Sequence, residues 1–347
     1  LLGVRGEIEG FSTFQMSLVM STYFAGFLGG SRLAPGMIRR VGHVRVFAAL
    51  ASFISAVLIL YPAYANPYAW MIERLIIGFC FSGVYVTTES WLNNAATNET
   101  RGQSLALYSI VQVLGILSAQ GILLLGDPAG FVLFIVPSIL VSISFAPILL
   151  SISPTPAFES TKPMSLKELY KTSPLSIVGV FLVGGAFSAQ FGMAAVFGTQ
   201  AGMSIPQISL FISMFYVGAV LALFPLGWLS DRMDRRLLIG CEAVIAGVGA
   251  LLGFVFGDNF YVLLVAAAII GSMINPLYSL LLAYLNDYLD TDQMAAGSAG
   301  MMFINGLGAI GGPVLTGWVM TMVGPGGFFL FIATLLLATA GYAAYRM

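Results

Sequence analysis

Charge is what this sequence has least of. Asp, Glu, Lys and Arg make up 8% of its 347 residues, against about 25% in a typical soluble domain. The net charge is −1, so the basic footprint of a nucleic-acid binder is missing. The one histidine, His43, builds by itself neither a zinc centre nor a Ser-His-Asp arrangement. The two cysteines, Cys80 and Cys241, each sit inside an apolar run and give no disulfide framework and no metal spacing. No catalytic constellation, metal site or cofactor site is expected, and neither is an enzyme. No cleavable leader is visible: the chain opens on Leu1 and Leu2 and turns polar within a few residues.

Apolar residues fill the space that charge leaves. They make up 59% of the chain, and the mean hydropathy is +0.95. A membrane span needs about 20 mostly apolar residues. Eleven runs qualify: 13–33, 46–64, 69–92, 103–125, 129–151, 174–197, 207–228, 237–256, 260–285, 295–322 and 328–345. They are too long and unbroken for barrel strands, so helices are expected. The connections are short except 152–173, which carries Pro154, Pro156, Lys162, Pro163 and Lys167 and reads as the linker between two halves, 1–151 and 174–347.

Basic residues give the orientation. With the loop at 34–45 on the cytoplasmic side, twelve of the fourteen Lys and Arg lie on or near that side. Arg5 lies outside, and Arg74 lies within a run. This positive-inside bias puts the C-terminus in the cytoplasm. His43 then reads as a solvated loop histidine.

The halves repeat. Gln15, Ser17, Leu18, Ser21 and Gly26 correspond to Gln207, Ser209, Leu210, Ser213 and Gly218 at an offset of 192. Gly78, Tyr85 and Leu92 correspond to Gly271, Tyr278 and Leu285 at 193, and so do Gly115 and Gly308. A register held over about 100 residues, Gln included, marks a duplication. Equal orientation makes the repeats parallel, about an axis along the membrane normal. The partner of the run 174–197 then maps upstream of Leu1. The expectation is six plus six helices, with most of the first missing.

Three motifs carry chemistry. Gly227-Trp228-Leu229-Ser230-Asp231-Arg232-Met233-Asp234-Arg235-Arg236 combines a small residue, which lets helices approach, with a carboxylate set to pair with arginines or a helix end. In the first-half copy, Arg39 takes the place of Asp231. Arg74-Leu75-Ile76-Ile77-Gly78 puts an arginine inside a span, where it faces protein or water, or else forms an interfacial anchor pair with Glu73. Glu89 lies fifteen residues on, about 22 Å along the axis and about 60° round it. A buried carboxyl there is a proton-carrier candidate; the alternative is a brace for the adjacent loop. Gly306-Leu307-Gly308-Ala309-Ile310-Gly311 spells G-x-G-x-x-G, but no strand precedes it, so it reads as helix packing.

The first of these motifs resembles the G-x-L-x-D-R-x-G-R-R loop of the major facilitator superfamily, with Asp234 at the second glycine. Arg74 to Gly78 resembles the R-x-x-x-G of its fourth helix, whose arginine is implicated in proton coupling. The run from Arg74 through Glu89-Ser90 to Gly121 is similar to the YcaD-type bacterial branch. The resemblance implies an all-helical facilitator fold in the inner membrane and a cavity lined by the first, fourth, seventh and tenth helices. Tyr85, Ser188, Gln190, Phe191, Asn275, Tyr278 and Ser279 are the candidate lining residues, each also readable as packing. Asn275-Pro276 is a candidate helix break, and Gln112 and Asn305 are candidates for interhelical hydrogen bonds. The gating loop would be Gly227, Asp231, Arg232, Arg235 and Arg236, and proton coupling would fall to Glu89 or Arg74. The expected partners are a small-molecule substrate, membrane lipid and protons. The rival functions are a non-transporting subunit or assembly factor of a larger membrane complex, and a lipid translocator.

Overall fold

The structure, a computed structural model, describes residues 1–95, 101–150, 164–290 and 293–346. Among the described residues are fourteen helices and no strand. They are α1 Leu2–Ile8, α2 Thr13–Val41, α3 His43–Ala63, α4 Pro67–Ala95, α5 Arg101–Leu123, α6 Val132–Ser144, α7 Ala146–Leu149, α8 Leu166–Thr172, α9 Pro174–Gln200, α10 Ile205–Ser230, α11 Arg235–Val255, α12 Phe260–Asn286, α13 Met294–Val323 and α14 Gly327–Tyr345. Each of the eleven apolar runs lies on a helix, with α6 and α7 sharing one run. Nine stretches are long and apolar enough to cross a membrane. The other two runs fall short for local reasons. α2 spans 29 residues, but its Gln, Ser, Thr and Gly lower its hydropathy, and the apolar part of α5, Leu107–Leu123, is short.

The chain forms two compact units. The first holds Leu1, Ile8–Phe11 and Thr22–Ser160; the second holds Leu2–Glu7, Ser12–Ser21 and Thr161–Met347. α1 and the first turns of α2 thus pack with the second unit, where Met20 lies against Gly192 and Ser17 against Gly317. In the first unit, α3 lies against α4 and α6, around Ile38, Val46, Leu50, Ile54 and Cys80. In the second, α9 packs on α13 and α14, α10 on α12, and α11 on α12 and α14. A ring cluster of Phe197, Phe211, Phe328 and Phe329 closes its core.

The repeat read from sequence reappears as repeated physics. α2 begins with a capping box: Ser12 N–H donates to Gln15 Oε1 (2.9 Å) and Gln15 N–H to Ser12 Oγ (3.2 Å). α10 begins with the same box between Ser204 and Gln207 (2.9 and 3.4 Å), which is why a Gln recurs there at the head of an apolar helix. Asn66 caps α4 through the N–H groups of Tyr68 and Ala69 (3.0 and 3.3 Å). Asn259 caps α12 through Tyr261 and Val262 (3.0 and 3.4 Å). The helix crossings repeat too. A methyl added at Gly26 would run into the carbonyl of Leu75, and one at Gly78 into that of Tyr23. Gly218 stands the same way against Ala268, and Gly271 against Phe215. Backbones in contact at reciprocal glycines fix the crossing of α2 on α4 and of α10 on α12.

Two expectations are corrected, and the linker gains detail. The loop at 34–45 is a single residue: α2 runs through Pro35 to Val41 because Ile38 is buried in the core, and Gly42 alone, at φ 86°, turns the chain into α3. The part of the linker within the described residues contains a helix, α8, started by a Ser165–Glu168 capping box and pinned by the buried Leu169 against Gly300; 152–163 lie outside the described residues. Asn275-Pro276 does not break α12, which continues to Asn286.

Candidate functional site

The basic loop of the second unit is short and capped. α10 ends with Asp231 as its C-cap, and α11 starts at Arg235 with Asp234 as its N-cap. Asp234 accepts from the N–H groups of Arg236 (2.8 Å) and Leu237 (3.4 Å). The first of these, then the second, holds its carboxyl below the ordinary range. Arg235 leaves the head of α11 and crosses to the end of α12, where it pairs with Asp287 and donates to the Ala283 carbonyl (3.3 Å). Arg236 lies 3.7 Å from Asp234. Arg232 folds back over the Trp228 ring, 4.2 Å from its centroid, and donates to the Trp228 carbonyl (3.1 Å). A cavity of ≈ 350 Å³ opens here between Asp231, Asp234, Arg236, Tyr284 and Asp287. Of the motif's charged residues, Asp231, Arg235 and Arg236 line this cavity together, while Arg232 turns away onto Trp228. An added methyl at Gly227 would meet nothing within 4 Å, so the close helix approach falls to Gly218 and Gly271 instead.

The first unit carries an uncharged version of this brace. His43, at the head of α3, answers to Arg235 by the offset of 192, and Ser90 on α4 answers to Ala283 by 193. His43 Nε2 and Ser90 Oγ are 2.8 Å apart. The solvated loop histidine expected from sequence is therefore a buried one, 1% exposed. The reason is the missing loop: with α2 and α3 joined by one residue, position 43 is already inside the helix.

The expected face of α4 is brought together in part. Arg74 stacks on Tyr23 of α2, 5.2 Å from the ring centroid. From there a row of rings, Tyr23–Phe27 (6.1 Å) and Phe27–Tyr85 (6.2 Å), leads along α2 to Tyr85, which also meets Phe81 (6.1 Å). Gly78 sits inside the α2 crossing. Glu89 is exposed near the far end of the helix, with Tyr85 within its electrostatic reach.

In the second unit the candidates separate. Ser188 is buried beside Gly312 and donates to the Gly185 carbonyl (3.0 Å). The Asn275 amide donates to the Gly271 carbonyl (3.0 Å). Both hydroxyl and amide are engaged in their own helices. Gln190 is buried with neither amide atom hydrogen-bonded among the described residues. Phe191 is 41% exposed and stacks on Phe187; Tyr278 is half-buried and Ser279 exposed. Asn305 makes the interhelical bond expected of it, to the Val180 carbonyl (3.3 Å).

Sequence reasoning missed Asp287, Tyr61 and Glu242. Asp287 follows Asn286, just past the repeat signature, and could have been found as the acid at the end of an apolar helix. Glu242, 1% exposed, is the lone acid of the run 237–256. Tyr61 gave no signal, being one aromatic among many.

Comparison with known proteins agrees with this architecture. Residues 176–346 match the family model described as Major Facilitator Superfamily, and 4–158 match that described as Sugar (and other) transporter. An uncharacterized MFS-type transporter of Yersinia enterocolitica, YE1530, is 24% identical over 332 residues, covering 94% of this chain and 85% of its own length. The uncharacterized MFS-type transporter YcaD of Escherichia fergusonii is 23% identical over 330 residues, with the same coverages. Among solved structures, a mutant of the nucleoside transporter NupG superposes with a TM-score of 0.80 over 100% of this chain and 94% of that one. At 16% identity that likeness carries the fold alone. A duplicated all-helical body, nine apolar spans and two family models side by side lead to one conclusion: the chain belongs to the major facilitator superfamily and is a multi-pass membrane transporter.

Proposed function

We propose that this chain is a secondary active transporter of a small molecule, working by alternating access in a bacterial inner membrane with its C-terminus in the cytoplasm. The observation that supports this reading most is the duplication. Two bodies that share caps, crossings and braces at a constant offset are the parts that a rocking mechanism needs. In this reading residues 1–151 and 174–347 belong to two six-helix halves that rock about a site near the bilayer midplane, lined by Tyr85, Gln190, Phe191, Tyr278 and Ser279, with Ser188 and Asn275 shaping their helices. Few charges fall in that set, which favours a neutral or amphipathic substrate. The Asp231–Arg236 loop acts as the latch of one state, and its first-unit counterpart, built on His43, gates differently.

Proton coupling runs through Glu89 or Arg74 in this proposal. A thermal-stabilisation screen of the purified full-length protein supplies a ligand. Uptake or efflux of that ligand driven by a pH gradient in proteoliposomes is then compared with Glu89→Gln. Loss of gradient-driven transport is expected; an unchanged rate sinks the assignment to Glu89.

A further inference from the structure

Each unit serves as a control for the other. At an offset of 192, α3 and α11 bury the same face: Val46, Leu50, Ile54, Val57 and Tyr61 answer to Leu238, Glu242, Ala246, Gly249 and Gly253. At 193, α4 and α12 do likewise: Trp70, Glu73 and Ile77 answer to Leu263, Ala266 and Ile270. Both members of each of these pairs are buried, so burial alone does not force the differences in side chain.

The sharpest difference lies beside the α3–α4 turn. There the second unit has Gly253, Ala266 and Ala267, all buried and apolar. The first unit has Tyr61, Glu73 and Arg74. Tyr61 is 1% exposed and Glu73 7%. The Tyr61 hydroxyl and Glu73 Oε2 are enclosed with no hydrogen-bond partner among the described residues. Buried polar groups left unpaired are costly, and the second unit fills the same positions with glycine and alanine. The walls are fixed: the Trp70 indole N–H donates to the Tyr61 carbonyl (3.0 Å), and the Trp70 ring packs between Phe11 (4.8 Å) and Tyr61 (5.7 Å).

We infer that Tyr61, Glu73 and Arg74 form a proton-exchange site. The Glu73 carboxylate takes a proton from hydronium, its new O–H bond forming as one in the hydronium breaks and leaves water, and returns it to water by the reverse; no electrons change hands, and the site's charge changes by one. Arg74, the next residue along α4 and held on Tyr23, is a fixed positive charge within reach of Tyr61. Tyr61, within electrostatic reach of both, is the hydroxyl that can donate to it. The other groups facing the site are few. Tyr23 comes from α2, and Phe134 from α6 packs on Tyr61. The last twelve residues of α5, Gln112 to Leu123, carry no titratable group. The site rests on the reading of the chain as a proton-coupled transporter, and supplies it with a carboxyl in the first unit that is buried where Glu89 is exposed.

The test needs no substrate. Full-length protein in lipid is taken through a pH jump, and the infrared difference spectrum is read for the C=O stretch of protonated carboxyls. Glu73→Gln should remove one band that Glu89→Gln leaves in place, and Glu73→Asp should restore a band at a shifted frequency. Tyr61→Phe should move the midpoint of that band by up to about one pH unit. A difference spectrum unaltered by Glu73→Gln, or no restored band in a folded Glu73→Asp protein, overturns the site. If the band behaves as expected while transport proves insensitive to a pH gradient, the site stands and the coupling reading falls.

Discussion

Single residues account for the places where this protein departs from the plain demands of its fold. Glu242 stands where the first unit has Leu50, is 1% exposed, and keeps Oε2 without a hydrogen-bond partner among the described residues. Removing an uncompensated buried carboxyl in favour of an apolar side chain of similar size is neutral or stabilising by about 1–4 kcal/mol. Glu242→Leu should therefore hold or raise the thermal midpoint of the purified protein, and a clear fall would mean that the carboxyl has a structural partner. Asp234 behaves in the opposite way. Its carboxyl is held down by two helix N–H groups, so its capping contribution is complete above its unfolded value of about 3.9. It is lost as the pH falls through the lower folded value. Asp234→Ala should speed amide exchange in the first turn of α11 about fivefold at neutral pH. The two proteins should converge in acid; a difference that persists there would deny the carboxylate its role.

At the level of elements, reciprocal glycines and terminal caps set the helices. Gly78→Val and Gly271→Val each force a side chain into a facing carbonyl and should cost about 1–3 kcal/mol or more, read as loss of folded protein in a melt. Gly227→Ala, with open space around it, should stay within about 0.5 kcal/mol. Equal effects at all three would contradict the crossing. The Arg235–Asp287 pair is partly exposed, with side chains 26% and 47% accessible, so a double-mutant cycle should return less than about 1 kcal/mol. Its value lies in joining α11 to α12 at the rim of the loop. Much of this level was legible in the sequence. Gln15 and Gln207 stood out because a capping box needs them, and Gly78 and Gly271 because a crossing does. What stayed hidden was the direction each apolar helix faces. Lipid and protein interior are equally apolar, so periodicity cannot tell a buried Glu242 or Tyr61 from an exposed one. The loop at 34–45 misled because its arginines suggested solvent, while Ile38 just before them is core.

The whole molecule is read best from its duplication. The offset of 192–193 paired Gln15 with Gln207, Gly26 with Gly218 and Gly78 with Gly271, and the structure gives both members of each pair the same local role. The same offset exposes asymmetry: His43 for Arg235, Arg39 for Asp231, Tyr61 and Glu73 for Gly253 and Ala266. The proposed rocking needs similar halves and the proposed ion coupling needs them to differ; the two units are alike in these caps and crossings and unlike at these positions. The substrate was not legible, because the candidate lining residues on α9 and α12 carry few charges to name it. The measurement that tests alternating access most directly uses Tyr278→Cys, in the second half of α12, in a full-length protein with Cys80→Ser and Cys241→Ser. Membrane-impermeant thiol reagents are applied separately to the two faces of oriented membranes. Labelling of the same cysteine from both faces, with the balance shifted by Asp231→Asn, is the predicted result; labelling confined to one face and indifferent to Asp231→Asn would contradict the account.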